Sequence, residues 1–119
     1  MIQGSVSNDG VPTIVLSVAG RDWLAVVDTG FSGDLELPEQ LRDPLHAQFK
    51  GQTLSLLAGG QSVIEDAYTV SIEFDGHIVQ AEATFVPAQE ILVGTSLLRA
   101  YRLEVDFPAQ TVELMRRGS

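Results

Sequence analysis

Val26-Val27-Asp28-Thr29-Gly30-Phe31-Ser32-Gly33 places an acid at the end of an apolar run. The run, Trp23 to Val27, is too short for a helix and reads as a strand buried on both faces. A carboxylate at the end of such a strand has two readings. It is a turn acid accepting backbone N–H groups in an Asx-turn, or it is a carboxylate held rigid for chemistry. Gly30 and Gly33 let the backbone fold back tightly, and Thr29 sets a hydroxyl beside the acid. That context favours the second reading.

Outward from this segment the chain alternates strands and turn signals. Ile14, Leu16 and Val18 alternate with Thr13, Val15 and Ser17 before a turn at Ala19-Gly20-Arg21-Asp22. Leu35 and Leu37 make a short strand closed by Pro38, and Pro38 to Phe49 reads as a surface segment with at most one helical turn. Thr53 to Leu57 and Ser62 to Phe74 flank Gly59-Gly60 as a hairpin with a flexible tip, and Asp75-Gly76 turns the chain into Val79, Ala81, Ala83 and Phe85. Ile91 to Val93 is another short apolar strand. Gly94 ends it, and Thr95 or Ser96 is placed to cap one short helix through Leu97, Leu98 and Tyr101. Leu103 to Phe107 and Thr111 to Met115 form a last hairpin around Pro108-Ala109-Gln110. Eight or nine short strands and one helix predict a small all-β barrel or sandwich. With no repeat, low-complexity stretch or linker, residues 1–119 read as a single domain.

Composition narrows the chemistry. The 119 residues contain no cysteine, which removes disulfide frameworks, cysteine zinc sites, iron–sulfur ligation and thiol catalysis. Seven Lys plus Arg against sixteen Asp plus Glu give a formal charge of −9, which argues against a nucleic-acid partner. No apolar stretch approaches the ~18 residues of a membrane span, and Met1 is followed by no leader-like run, so a soluble, cytoplasmic protein is expected. His46 and His77 lie far apart in a loop and beside a turn, and read as surface histidines rather than metal ligands. No serine has a histidine and an acid at recognisable spacing. Glu36, Glu39, Asp43, Glu65 and Asp66 read as solvated charge.

Asp28-Thr29-Gly30-Phe31-Ser32-Gly33 resembles the active-site motif of the retropepsin-like aspartic proteases, the single-domain relatives of pepsin. Ile91-Leu92-Val93-Gly94-Thr95-Ser96-Leu97-Leu98 is similar to that family's second hallmark, and Gly59-Gly60 resembles the tip of its flap, although an ordinary hairpin tip would look the same. The resemblance implies a small closed β-barrel with one short C-terminal helix and a peptide or protein substrate, with no cofactor and no metal. Asp28, Thr29 and Gly30 would be catalytic, and Ser32, Ala58, Gly59, Gly60 and Gln61 would bind substrate. The family's site needs two aspartates and this chain has one Asp-Thr-Gly, so a homodimer is implied. Val112 and Leu114 alternate near the chain end, which makes Thr111 to Met115 the first candidate for its shared sheet, with an ordinary edge strand the equal alternative.

Two departures stand out. Viral members usually carry an acid where Ser32 stands and an arginine where Thr95 stands, and Phe31 is bulkier than the residue common at its position. Loss of both charges leaves no unpaired ion, and the pattern is nearer to a prokaryotic or cellular member than to a viral one. A peptide-binding or dimerisation module with the same fold and little or no protease activity is the alternative.

Overall fold

Ten strands make up the chain in a computed structural model that describes residues 1–57 and 59–117. They are β1 (Ile2–Val6), β2 (Pro12–Val18), β3 (Arg21–Val27), β4 (Leu35–Pro38), β5 (Gln48–Leu56), β6 (Ser62–Phe74), β7 (His77–Val86), β8 (Ile91–Val93), β9 (Tyr101–Asp106) and β10 (Thr111–Arg116). All ten join one sheet in the order β5-β6-β7-β4-β8-β3-β2-β1-β10-β9. A 3-10 turn, Glu39–Leu41, occupies the segment expected to hold at most one helical turn.

The expected closed barrel is not formed. The sheet has two free edges, β5 and β9, because β5 and the adjoining half of β6 leave the core as a two-stranded ribbon. Phe49, Leu54, Leu56 and Ile64 on that ribbon are exposed, and the ladder is interrupted between Phe49 and Gly51. The sheet curls back through side chains instead. At the base of β6, Phe74 packs edge-on against Tyr101 of β9, with ring centroids 5.5 Å apart, and the Tyr101 hydroxyl donates to Asp75 Oδ2 at 3.1 Å. The Met1 amine donates to the other oxygen of Asp75 at 2.8 Å. These two hydrogen bonds, the amine's the stronger influence, hold the Asp75 carboxyl below its ordinary value.

The short helix expected after Gly94 is also absent. Residues 95–100 form successive turns in which the Leu98 amide donates to Thr95 and the Tyr101 amide to Leu98. Six residues lie between Gly94 and the start of β9, too few for a settled helix, and the chain must re-enter the sheet at Tyr101.

Strand β1 was not legible in the sequence and matters for assembly. It pairs with β2 on one side and β10 on the other, and β10 pairs with β9 beyond it. Thr111 to Leu114 therefore has both backbone edges occupied within its own chain, which corrects the assignment of this segment as an edge strand or as the strand of a shared dimer sheet. Gly4 is required in β1, because a β-carbon there would meet the Thr13 carbonyl oxygen.

The strands that place the motif lie mid-sheet. Ala25, Val26 and Val27 of β3 run parallel to Ile91, Leu92 and Val93 of β8, and Leu35 and Glu36 of β4 pair with β8 on its other side. Ile14, Leu35, Leu37, Phe74, Ile91 and Leu114 are among the most deeply buried side chains. Strand β3 has only one face in that core. Trp23, Ala25 and Val27 are buried, whereas Leu24 is 44 % exposed, so the continuous apolar run does not mark a strand buried on both sides.

Candidate active site

Asp28 follows the last residue of β3 and is half-buried. Its amide donates to the Val93 carbonyl at 2.9 Å, which extends the β3–β8 pairing by one step, and its own carbonyl accepts from the Phe31 amide at 3.2 Å. Its Oδ1 accepts from the Gly30 amide at 2.8 Å. That is an Asx-turn, so the two readings of this acid coincide: the turn is what fixes the carboxylate. A β-carbon on Gly30 would lie 3.2 Å from Asp28 Oδ1, tight against the oxygen being held. Thr29, Gly30 and Ser32 face solvent.

Residues 94–96 support this loop through their backbone. The Gly94 amide donates to the Asp34 carbonyl at 3.0 Å, Thr95 to Phe31 at 2.8 Å and Ser96 to Gly33 at 3.1 Å. The Thr95 hydroxyl also donates to the Phe31 carbonyl, at 3.3 Å. Residues 31–34 are thus anchored by residues 94–96, and the first amides after Gly94 serve the loop. Phe31 closes the arrangement, because its ring stands where side chains on Gly33 or Gly94 would have to go.

The β5–β6 hairpin stands across a cleft of about 390 Å³ from this loop. Gly30, Phe31 and Ser32 line one side, with Thr53, Ser55 and Leu57 among the lining residues of the hairpin. At the hairpin tip the Leu57 amide donates to the Gln61 carbonyl at 2.7 Å, and Gly59 and Gly60 take φ angles of 94° and 84°, which other residues adopt only with strain. Gly59, Gly60 and Gln61 do not line the cleft themselves, and neither does Asp28, which adjoins it through Gly30. Ala58, also expected at the tip, lies outside the described residues.

Sequence reasoning missed the acids of this cleft. Asp34, Glu36, Glu65 and Glu82 all line it. Glu36 is half-buried, and its carboxyl is pushed above the ordinary value by burial first, then by the charges of Glu65 and Asp28. The available signal was position: Glu36 alternates with the buried Leu35 and Leu37 in the strand directly after the motif, a place unlike that of a free surface charge.

No family model matches this chain, and no curated protein does. Solved structures do match. A retropepsin-like aspartic protease from Rickettsia conorii is 19 % identical at a TM-score of 0.63, covering 95 % of this chain and 88 % of its own. The EIAV protease bound to an inhibitor is 19 % identical at 0.60, covering 78 % of this chain and 89 % of its own. The foamy viral protease-reverse transcriptase with an RNA/DNA hybrid is 18 % identical at 0.64 over 81 % of this chain, which spans 13 % of that much longer one. Bacterial and viral structures match about equally well, so the likeness does not favour either group. Mostly strand, with a carboxylate loop and a parallel pair of strands beneath it, this chain has the fold of the retropepsin-like aspartic proteases.

Proposed function

We propose that the protein is an aspartic endopeptidase that works as a homodimer, each chain supplying one Asp28. The observation that carries this reading is the Asp28 carboxylate, held at the end of β3 by the Gly30 amide, in a loop whose Thr29 and Gly30 remain exposed. An exposed, rigid carboxylate loop is suited to meeting its own copy across a two-fold axis. Two carboxylates about 3 Å apart cannot both ionise cheaply, so one keeps a proton and the pair titrates as a unit. The ionised Asp28 then takes a proton from a shared water, whose oxygen attacks the scissile carbonyl while the protonated Asp28 polarises it. The tetrahedral intermediate collapses as a proton passes to the departing amine.

In this reading Thr29 ties the two loops together across the axis, and Gly30 and Ser32 lie along the substrate. Gly59, Gly60 and Gln61 form a lid over it. Incubation with a peptide library from pH 3 to 7 tests the proposal: cleavage that disappears in Asp28→Asn supports it, and cleavage that survives the substitution contradicts it. Peptide binding retained in both proteins with no cleavage at any pH would instead identify a binding module.

A further inference from the structure

The geometry points to a cleft that selects substrates carrying a basic side chain, lysine or arginine, seated against Glu36 and Glu65; this inference rests on the endopeptidase reading for its place in the reaction. At about 390 Å³ the cleft falls within the roughly 300 to 1,000 Å³ of ordinary ligand pockets, and it is lined by Gly30, whose amide holds the Asp28 carboxylate. Every charged residue lining it is an acid. Two of the four are already engaged: Asp34 Oδ2 accepts from the Glu82 amide at 2.9 Å, and the Glu82 carboxylate is paired with Lys50 at 2.9 Å.

Glu36 and Glu65 are left. They approach the cleft from different strands, β4 and β6, and the charge of Glu65 adds to the cost of ionising Glu36. Among the described residues neither makes an ion pair. Around them Leu54, Leu56 and Leu57 supply apolar surface. An apolar rim with a negative floor matches lysine and arginine, whose methylene stems cover apolar surface while the cationic head reaches the acids. A neutral apolar side chain would instead shield the two acids from water with no counter-charge, which is unfavourable. Selection therefore comes both from attraction to the cation and from the penalty on its neutral analogue.

The test is a set of peptides with arginine, lysine or norleucine at each of the four positions on either side of the cleaved bond, read as kcat/KM. One position is expected to favour arginine or lysine over norleucine by about tenfold or more, a gap that falls several-fold in Glu65→Gln and in Glu36→Gln. Glu65 lies on the hairpin arm away from the main core, so Glu65→Gln reads the cleft without altering β4. Glu104→Gln, on the exposed face of β9, controls for general attraction of basic peptides by the −9 charge and should leave the ratio unchanged. No basic preference at any position, or a preference that persists in Glu65→Gln, overturns the inference. If no peptide is cleaved in an Asp28-dependent way, the endopeptidase reading fails by itself. The same fluorescently labelled peptides then decide the cleft by binding: tighter binding of the basic peptides that weakens in Glu65→Gln supports it, and equal binding of basic and norleucine peptides overturns it.

Discussion

The ring of Phe31 lies 2.7 Å from the point where a β-carbon on Gly94 would stand, and the Phe31 carbonyl oxygen lies 2.8 Å from it. The carbonyl oxygen of Gly33 is nearer still. The bulky residue in the carboxylate loop and the glycine ending β8 are therefore complementary parts of one support, and together they make the loop's shape depend on two residues sixty-odd positions apart in the chain.

Substitution at the two glycines facing Phe31 should give different results. Gly94→Ala meets main-chain oxygens that cannot step aside, so a loss of about 3 kcal/mol or more is expected, with no rescue by Phe31→Ala. Gly33→Ala meets mainly the far edge of the Phe31 ring, 2.7 Å from Cζ, so a loss of about 1 to 2 kcal/mol is expected, largely removed in a Phe31→Ala background. Urea denaturation of the single and double variants measures both, and additive losses for Gly33→Ala and Phe31→Ala would contradict the contact.

How far the sequence revealed this arrangement depends on whether the signal was local. Asp28-Thr29-Gly30 and the Gly59-Gly60 hairpin announce themselves through turn chemistry, which neighbouring residues set. Strand β1 did not, because Gln3, Gly4 and Ser5 carry no apolar alternation; its place is decided by backbone approach to Thr13 and pairing with β10. Thr95-Ser96 before Leu97-Leu98 had the look of a helix cap, yet the Thr95 and Ser96 amides serve Phe31 and Gly33 in a distant segment. Glu36 and Glu65 are far apart in the chain and became one feature only once β4 and β6 faced the same cleft.

Stability should carry the mark of Glu36. Its folded carboxyl titrates above the ordinary 4.5, so the folded chain holds that proton more tightly than the unfolded one does. Its contribution to stability is therefore most favourable below about 4.5 and declines as pH rises through the interval up to the folded value. Burial is the largest cause, followed by the negative charges of Glu65 and Asp28. Glu36→Gln should consequently be more stable than the parent at pH 7, with the advantage shrinking to nothing near pH 4. Thermal unfolding at a series of pH values checks it, and an equal difference at both ends would count against a raised carboxyl.

The hairpin tip should separate activity from stability. Alanine at Gly60, where φ is 84°, strains a turn that lies away from the core. An effect on stability of about 1 kcal/mol or less is expected, together with a fall in kcat/KM of roughly tenfold as the lid loses its conformation. Parallel denaturation and peptide-cleavage assays of Gly60→Ala check this, and an unaltered kcat/KM would remove the tip from the lid.

The claim that one site is made from two chains is tested most directly by mixing wild-type protein with Asp28→Asn protein at fixed total concentration and measuring peptide cleavage after subunit exchange. If each site needs an Asp28 from both chains, activity follows the square of the wild-type fraction, so an equal mixture retains about a quarter of the full rate. Activity that falls in simple proportion to the wild-type fraction, leaving half the rate in an equal mixture, would contradict the shared site.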